Sequence, residues 1–134
     1  MNKVFYIFAL LVMLAACSDE AAVSLGPQQW QDFSFVVESR PSPLRVGMNE
    51  FIVIVNREGY KPGVGLIVSL RADDKAEWRQ AIQDGFSGVY RRAIQVNNPQ
   101  SDVLAVHVSK SRSEDEGEET ILYFPLKQVV AKSH

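Results

Sequence analysis

Few side chains in this 134-residue chain are of types that do chemistry, and their spacing restricts what that chemistry is. Cys17 is the only cysteine. An internal disulfide or a zinc–thiolate site is therefore excluded, because both need thiols in pairs or clusters. The setting of Cys17 is specific. A basic start, Met1-Asn2-Lys3, leads into an apolar run from Val4 to Ala16, and Leu14-Ala15-Ala16-Cys17 is followed at once by Ser18-Asp19-Glu20. A basic n-region, a short apolar stretch and small residues at its end make a secretory signal peptide. The run is shorter than the roughly 20 residues a membrane-spanning helix requires.

Beyond the signal the reactive types are scattered. Soft metals need several convergent Met, His or Cys ligands, and here Met48, His107 and His134 stand far apart. No metal site and no cofactor are expected. His107 and Ser109 share one face of a strand, but a nucleophile needs a base that a third group orients, and nothing in the sequence supplies one. A surface histidine is the expected role, and no catalytic residue is assigned. Glu114-Asp115-Glu116-Gly117-Glu118-Glu119 lacks the ligand spacing of a calcium loop. It reads as a solvated hairpin tip that discourages edge aggregation. Arg71, Arg91 and Arg92 offer a basic patch, although Arg91 and Arg92 point to opposite faces of one strand, so one of them conflicts with the inward face beside Tyr90 and Ile94 and is expected to snorkel or to sit at a strand end. Trp78 and Phe86 flank an irregular segment. With Arg71 they are the candidates for anchoring a partner, as an exposed aromatic pair, since aromatic and arginine side chains dominate interfaces.

The elements that must position these residues are strands. Ser18 to Gln29 is small, polar and acidic and reads as a tether, residues 17–29 including the cysteine. From Trp30 short apolar runs alternate with turn residues at intervals near ten, the pattern of a β-sandwich. Trp30–Glu38 places Phe33, Phe35 and Val37 on one face. Arg40-Pro41-Ser42-Pro43 breaks it, because proline removes a donor and fixes φ. Asn49–Asn56 is apolar on both faces, as a central strand is. Val64–Ala72 turns Val64, Leu66, Val68 and Leu70 inward, and Gly88–Val96 does the same with Tyr90, Ile94 and Val96. In Asp102–Ser109, Leu104, Val106 and Val108 face in, while Ala105 and His107 face out. Thr120–Leu126 closes a domain of residues 30–126, and residues 127–134 form a tail. Asp73–Asp84 admits two readings. Trp78 and Ile82 four apart suit a helical turn, and Trp78, Gln80 and Ile82 equally suit one face of a strand.

Once the signal leaves with Lys3, 13 Lys and Arg face 16 Asp and Glu. A net negative domain is a poor partner for nucleic acid or anionic lipid. No small-molecule substrate is evident.

Leu14-Ala15-Ala16-Cys17 resembles the lipobox of bacterial lipoproteins. That resemblance implies cleavage before Cys17, diacylglycerol on its thiol and an acyl chain such as palmitate on its new amino group. Several chains anchor a protein firmly where one alone binds marginally. Ser18 rather than aspartate after the cysteine implies, by the same resemblance, the outer membrane in preference to the inner, with the domain facing the periplasm.

A second resemblance rests on Leu44-Arg45-Val46-Gly47-Met48-Asn49-Glu50-Phe51-Ile52-Val53-Ile54-Val55, on Gly59-Tyr60-Lys61-Pro62, and on Asp84-Gly85-Phe86-Ser87-Gly88-Val89-Tyr90. Together they look like the YtkA-like and FixH-like periplasmic domains, over about Pro43 to Ser109. This implies an immunoglobulin-like antiparallel β-sandwich of about seven strands, and it favours the strand for Asp73–Asp84. The Met and His clusters often found in that family are missing from Ser69–Trp78. A structural role is expected for Tyr90, with its hydroxyl returned to a nearby backbone group as in a tyrosine corner. The expectation is a non-enzymatic, lipid-anchored module that binds or scaffolds an envelope protein. The alternative, implied by the resemblance, is an accessory factor of copper or respiratory-complex assembly whose metal ligands are lost.

Overall fold

The computed structural model describes residues 24–111 and 118–127. Leu14-Ala15-Ala16-Cys17, most of the acidic run and the tail from residue 128 lie outside them. The described chain is all-β, an antiparallel sandwich of two sheets. In chain order the strands are β1 (Ser24–Trp30), β2 (Phe33–Arg40), β3 (Gly47–Arg57), β4 (Lys61–Pro62), β5 (Leu66–Arg71), β6 (Arg79–Gln80), β7 (Ile82–Gln83), β8 (Val89–Val96), β9 (Val103–Lys110) and β10 (Glu119–Pro125). Three of them are two-residue pieces, which leaves the seven longer strands of the expectation. The first sheet runs β1-β2-β3-β8-β7, with β4 beside β3. The second runs β10-β9-β5-β6.

The period-2 pattern sets the core. Phe33, Phe35 and Val37 of β2, Phe51, Val53 and Val55 of β3, and Tyr90, Ile94 and Val96 of β8 point from the first sheet. They meet Leu66, Val68 and Leu70 of β5, Leu104, Val106 and Val108 of β9, and Leu122 and Phe124 of β10. Fully burying one such side chain stabilises the fold by about 1.5–3 kcal/mol. Two polar anchors hold loops to this core. Buried Asn49 accepts the Arg45 N–H through Oδ1 and donates through Nδ2 to the carbonyls of Arg45, at 2.7 Å, and Gly47, at 3.1 Å. The Tyr90 hydroxyl donates to the Gly63 carbonyl at 3.0 Å. It therefore ties β8 to the loop that enters the other sheet.

Several boundaries differ from the sequence reading. Ser24–Gln29, expected as tether, is most of β1. It pairs with β2 and buries Leu25, and a two-residue turn joins the two strands, with Gln31 at φ 54°. Trp30 thus ends β1 and stacks on Phe33 at 6.2 Å between ring centroids. The apolar content of Ser24–Trp30 was too low for its pattern to show, because only one face of an edge strand needs covering. Val64 is 37% exposed, since Gly63 and Gly65 turn the chain there and the strand begins only at Leu66. Ala105, expected to face out, is on the outer face but covered. Asp73–Asp84 is neither a helix nor one strand. Arg79–Gln80 pairs with β5 in the second sheet and Ile82–Gln83 with β8 in the first, so the chain changes sheets at buried Ala81.

Candidate interaction surface

The outer face of the second sheet carries the residues of interest. Directly opposed residues share a face, so the register lays them out in rows. Ile121, His107 and Ser69 form one row, Tyr123, Ala105 and Arg71 the next, and Glu119, Ser109 and Ile67 a third. A strand with one face in solvent alternates apolar residues inward with polar residues outward. Here β10 is apolar on both faces, with Leu122 and Phe124 inward, and Ile121 and Tyr123 outward at 39% and 59% exposure. Ile67 and Val103 are also partly exposed on this face.

The chain after β5 folds back over this face. Asp73 organises the return: its carbonyl accepts the Ala76 N–H at 3.0 Å and its Oδ1 the Lys75 N–H at 2.9 Å. Trp78 is thereby set beneath Arg71, whose guanidinium carbon lies 4.1 Å from the ring centroid. The indole is 5.6 Å from the His107 ring, tilted by 54°. His107 Nε2 meets Glu119 Oε2 at 2.8 Å. Arg71, Trp78 and His107, all half-buried, and exposed Glu119 thus make one continuous cluster across three strands and a loop. Arg71 Nε is buried without a hydrogen-bond partner in the described residues. Beside the cluster a groove of about 400 Å³ runs past Arg71, Asp73, Asn97, Asp102, Ala105 and Tyr123. Asp102 fixes its far wall by accepting the N–H groups of Asn97, at 2.8 Å, and Asn98, at 3.0 Å.

Of the candidates read from the sequence, Arg71 and Trp78 are brought together. Phe86 is not. It is 86% exposed in the turn between β7 and β8, beside Phe33, Val64 and Lys110, because the change of sheet at Ala81 carries the chain away from Trp78. The three arginines do not form one patch. Arg91 lies on the outer face of the first sheet, 3.5 Å from both Glu50 and Asp84, and Arg92 is half-buried opposite Phe51. His107 is paired with Glu119 rather than Ser109. At the end of the acidic run, Glu118 pairs with Lys110 at 2.6 Å, and that contact holds its carboxyl below the usual carboxylate range. Among the described residues no three His, Cys, Asp or Glu side chains converge as a metal site.

Ile121, Tyr123 and Glu119 were missed as site residues. The outward phase of Thr120–Leu126 was legible, but an apolar outward phase alone does not say which neighbouring strands extend it. No protein-family model, no curated protein and no solved structure matches the chain.

Proposed function

We propose that the chain is a non-enzymatic, lipid-anchored module of the bacterial envelope that docks a protein partner on the outer face of its second sheet. The observation that carries this is the set of outward-facing apolar and aromatic side chains, exposed Ile67, Ile121 and Tyr123 with half-buried Trp78 stacked on Arg71, gathered on one sheet face. Contiguous exposed apolar surface on a small domain marks an interaction site, and Trp, Tyr and Arg are the residue types that dominate binding energy.

The position of the anchor supports the same reading. With β1 starting at Ser24, residues 17–23 reach about 25 Å at full extension. Ser24 pairs with Glu38 near the end of β2, and Gly26 approaches Phe124 near the end of β10. The leash therefore leaves from the end of the sandwich where β5 ends at Arg71 and the groove opens. A partner docked there sits close to the membrane that holds the lipid, by the lipobox resemblance the outer one, on its periplasmic side.

Fractionation and cross-linking of intact envelopes test the reading. The full chain is expected in the membrane fraction in complex with one protein. Replacing Cys17 with Ser is expected to release the chain or leave the precursor uncleaved. A chain that is cleaved and still lipid-bound without its thiol contradicts the anchor. A complex that survives replacement of Trp78 and Tyr123 by aspartate contradicts the docking face.

A further inference from the structure

Among the described residues, two that are not glycine take a left-handed backbone conformation, Gln31 at φ 54° and Tyr60 at φ 58°. They are distant in sequence, yet both line one concavity of about 450 Å³ on the outer face of the first sheet. A bulky side chain is disfavoured in that region of φ/ψ space, and such strain gathers at ligand sites, where the surrounding structure enforces it. The enforcement is visible at both positions. Gln31 lies in the turn that Trp30 and Phe33 close by pairing. Tyr60 follows Gly59, at φ 73°, in the turn closed by Arg57 opposite Lys61. Tyr60 is 93% exposed, so this turn displays the ring to solvent and does not pack it.

The outward phase of two paired strands makes the floor: Ser34 and Val36 of β2 and Asn56 of β3, all half-buried, with Ser34 directly opposite Asn56. The two turns make the walls. An ion pair joins them, with Arg57 Nη2 and Nε donating to Asp32 Oδ2 at 2.9 and 3.2 Å. The Arg57 guanidinium also lies 5.6 Å from the Phe33 ring centroid, which braces it from the core side.

The chemistry of this lining narrows its ligand. β2 pairs with β1 and β3, and β3 pairs with β2 and β8, so the floor offers no free main-chain ladder to an extended peptide. Asp32 and Glu58 outnumber Arg57 on the lining, which disfavours an anion. What is offered is an amide, a hydroxyl and an ion pair, groups that both donate and accept, beside one exposed aromatic face. An uncharged ligand rich in hydroxyls, with an apolar ring face of its own, matches that set.

We propose that the concavity binds a neutral saccharide, with a pyranose ring on Tyr60 and its hydroxyls bonded to Ser34, Asn56 and the Asp32–Arg57 pair. The site is separate from the protein-docking face, which belongs to the other sheet. Its place in the fold bears on the source of the sugar, and this part rests on the anchor reading above. β1 starts at the leash and runs seven residues to Trp30, about 23 Å. Leash and strand together carry the concavity up to about 45 Å from Cys17. That reach suits a wall polysaccharide standing off the membrane, and not a headgroup sugar of the membrane that holds the lipid.

The test is calorimetric titration of the full chain, carrying Cys17→Ser to remove the lipid, with two neutral β-linked probes, chitotetraose and cellotetraose. Saturable binding of at least one is expected below about 10 mM. Tyr60→Gly is expected to weaken it at least about tenfold. Because glycine adopts positive φ freely, the same variant is expected to melt no lower than the natural chain. Asn56→Ala is expected to weaken binding severalfold, and Trp78→Ala, on the other sheet, to leave it unchanged. No binding of either probe overturns the site, and so does equal binding by Tyr60→Gly. Weaker binding by Tyr60→Gly with a lower melting temperature gives the ring a structural role and overturns the assignment. Loss of binding in Trp78→Ala overturns the location. The lipidated chain is expected to co-sediment with insoluble wall polysaccharide. Co-sedimentation with glycolipid vesicles alone overturns the wall as the source and supports the saccharide site.

Discussion

The Arg71 guanidinium sits 4.1 Å over the Trp78 ring, and that contact joins the end of β5 to the loop that leaves it. It converts an otherwise irregular segment into part of the outer face of the second sheet. A cation over an indole contributes about 0.5–1 kcal/mol at an exposed site and more when desolvated. Replacing Trp78 or Arg71 with alanine is expected to lower stability by about 1 kcal/mol each. A double-mutant cycle in urea is expected to show a coupling of about 0.5–1 kcal/mol between them. Additive losses contradict the stacking.

Tyr90 is fully buried and donates to the Gly63 carbonyl. Its replacement by phenylalanine leaves that carbonyl unpaired and is expected to cost about 1–2 kcal/mol in chemical denaturation. A neutral effect contradicts the role given to the hydroxyl.

The same group sets an alkaline limit. Burial pushes the Tyr90 phenol above its usual value, and a backbone hydrogen bond at Leu66 pulls the other way. A folded pKa above the unfolded one means that the neutral hydroxyl is favoured in the fold. Its stabilisation is fully present below the unfolded value near 10 and is lost as pH rises through the folded one. Melting temperature is expected to fall more steeply above pH 10 for the natural chain than for Tyr90→Phe. Parallel curves contradict this.

Gly88 stands at φ +77°, and an added Cβ would overlap the Val55 carbonyl oxygen and come within 2.9 Å of Gly63 N. Gly59, at φ +73°, has nothing within 4 Å. Gly88→Ala is therefore expected to cost several kcal/mol or prevent folding, while Gly59→Ala costs about 1 kcal/mol. Similar losses for both, measured by thermal unfolding, contradict the close approach.

Strand phase made much of this molecule legible in its sequence. Phe33, Phe35 and Val37, or Leu104, Val106 and Val108, declare a buried face by spacing alone, and the prolines after Arg40 declare a break. β1 was hidden because an edge strand with Gly26, Pro27 and three glutamines or serines has little apolar pattern to show. The crossing at Ala81 was hidden for a different reason. Two-residue strands in different sheets have no period, so Trp78, Gln80 and Ile82 mimicked a single face. In the candidate site, Arg71 and Trp78 could be picked by type but not placed together. Their contact depends on the return made by Asp73, and Ile121 and Tyr123 join them only through register with β9.

The central claim is that the outer face of the second sheet, and not another face, receives the partner. A photoreactive amino acid at Tyr123, with another at Glu38 on the outer face of the first sheet, tests this in intact envelopes. The account predicts a single discrete protein adduct from position 123, lost with Arg71→Glu, and none from position 38. Adducts of equal yield from both positions, or none from position 123, contradict it.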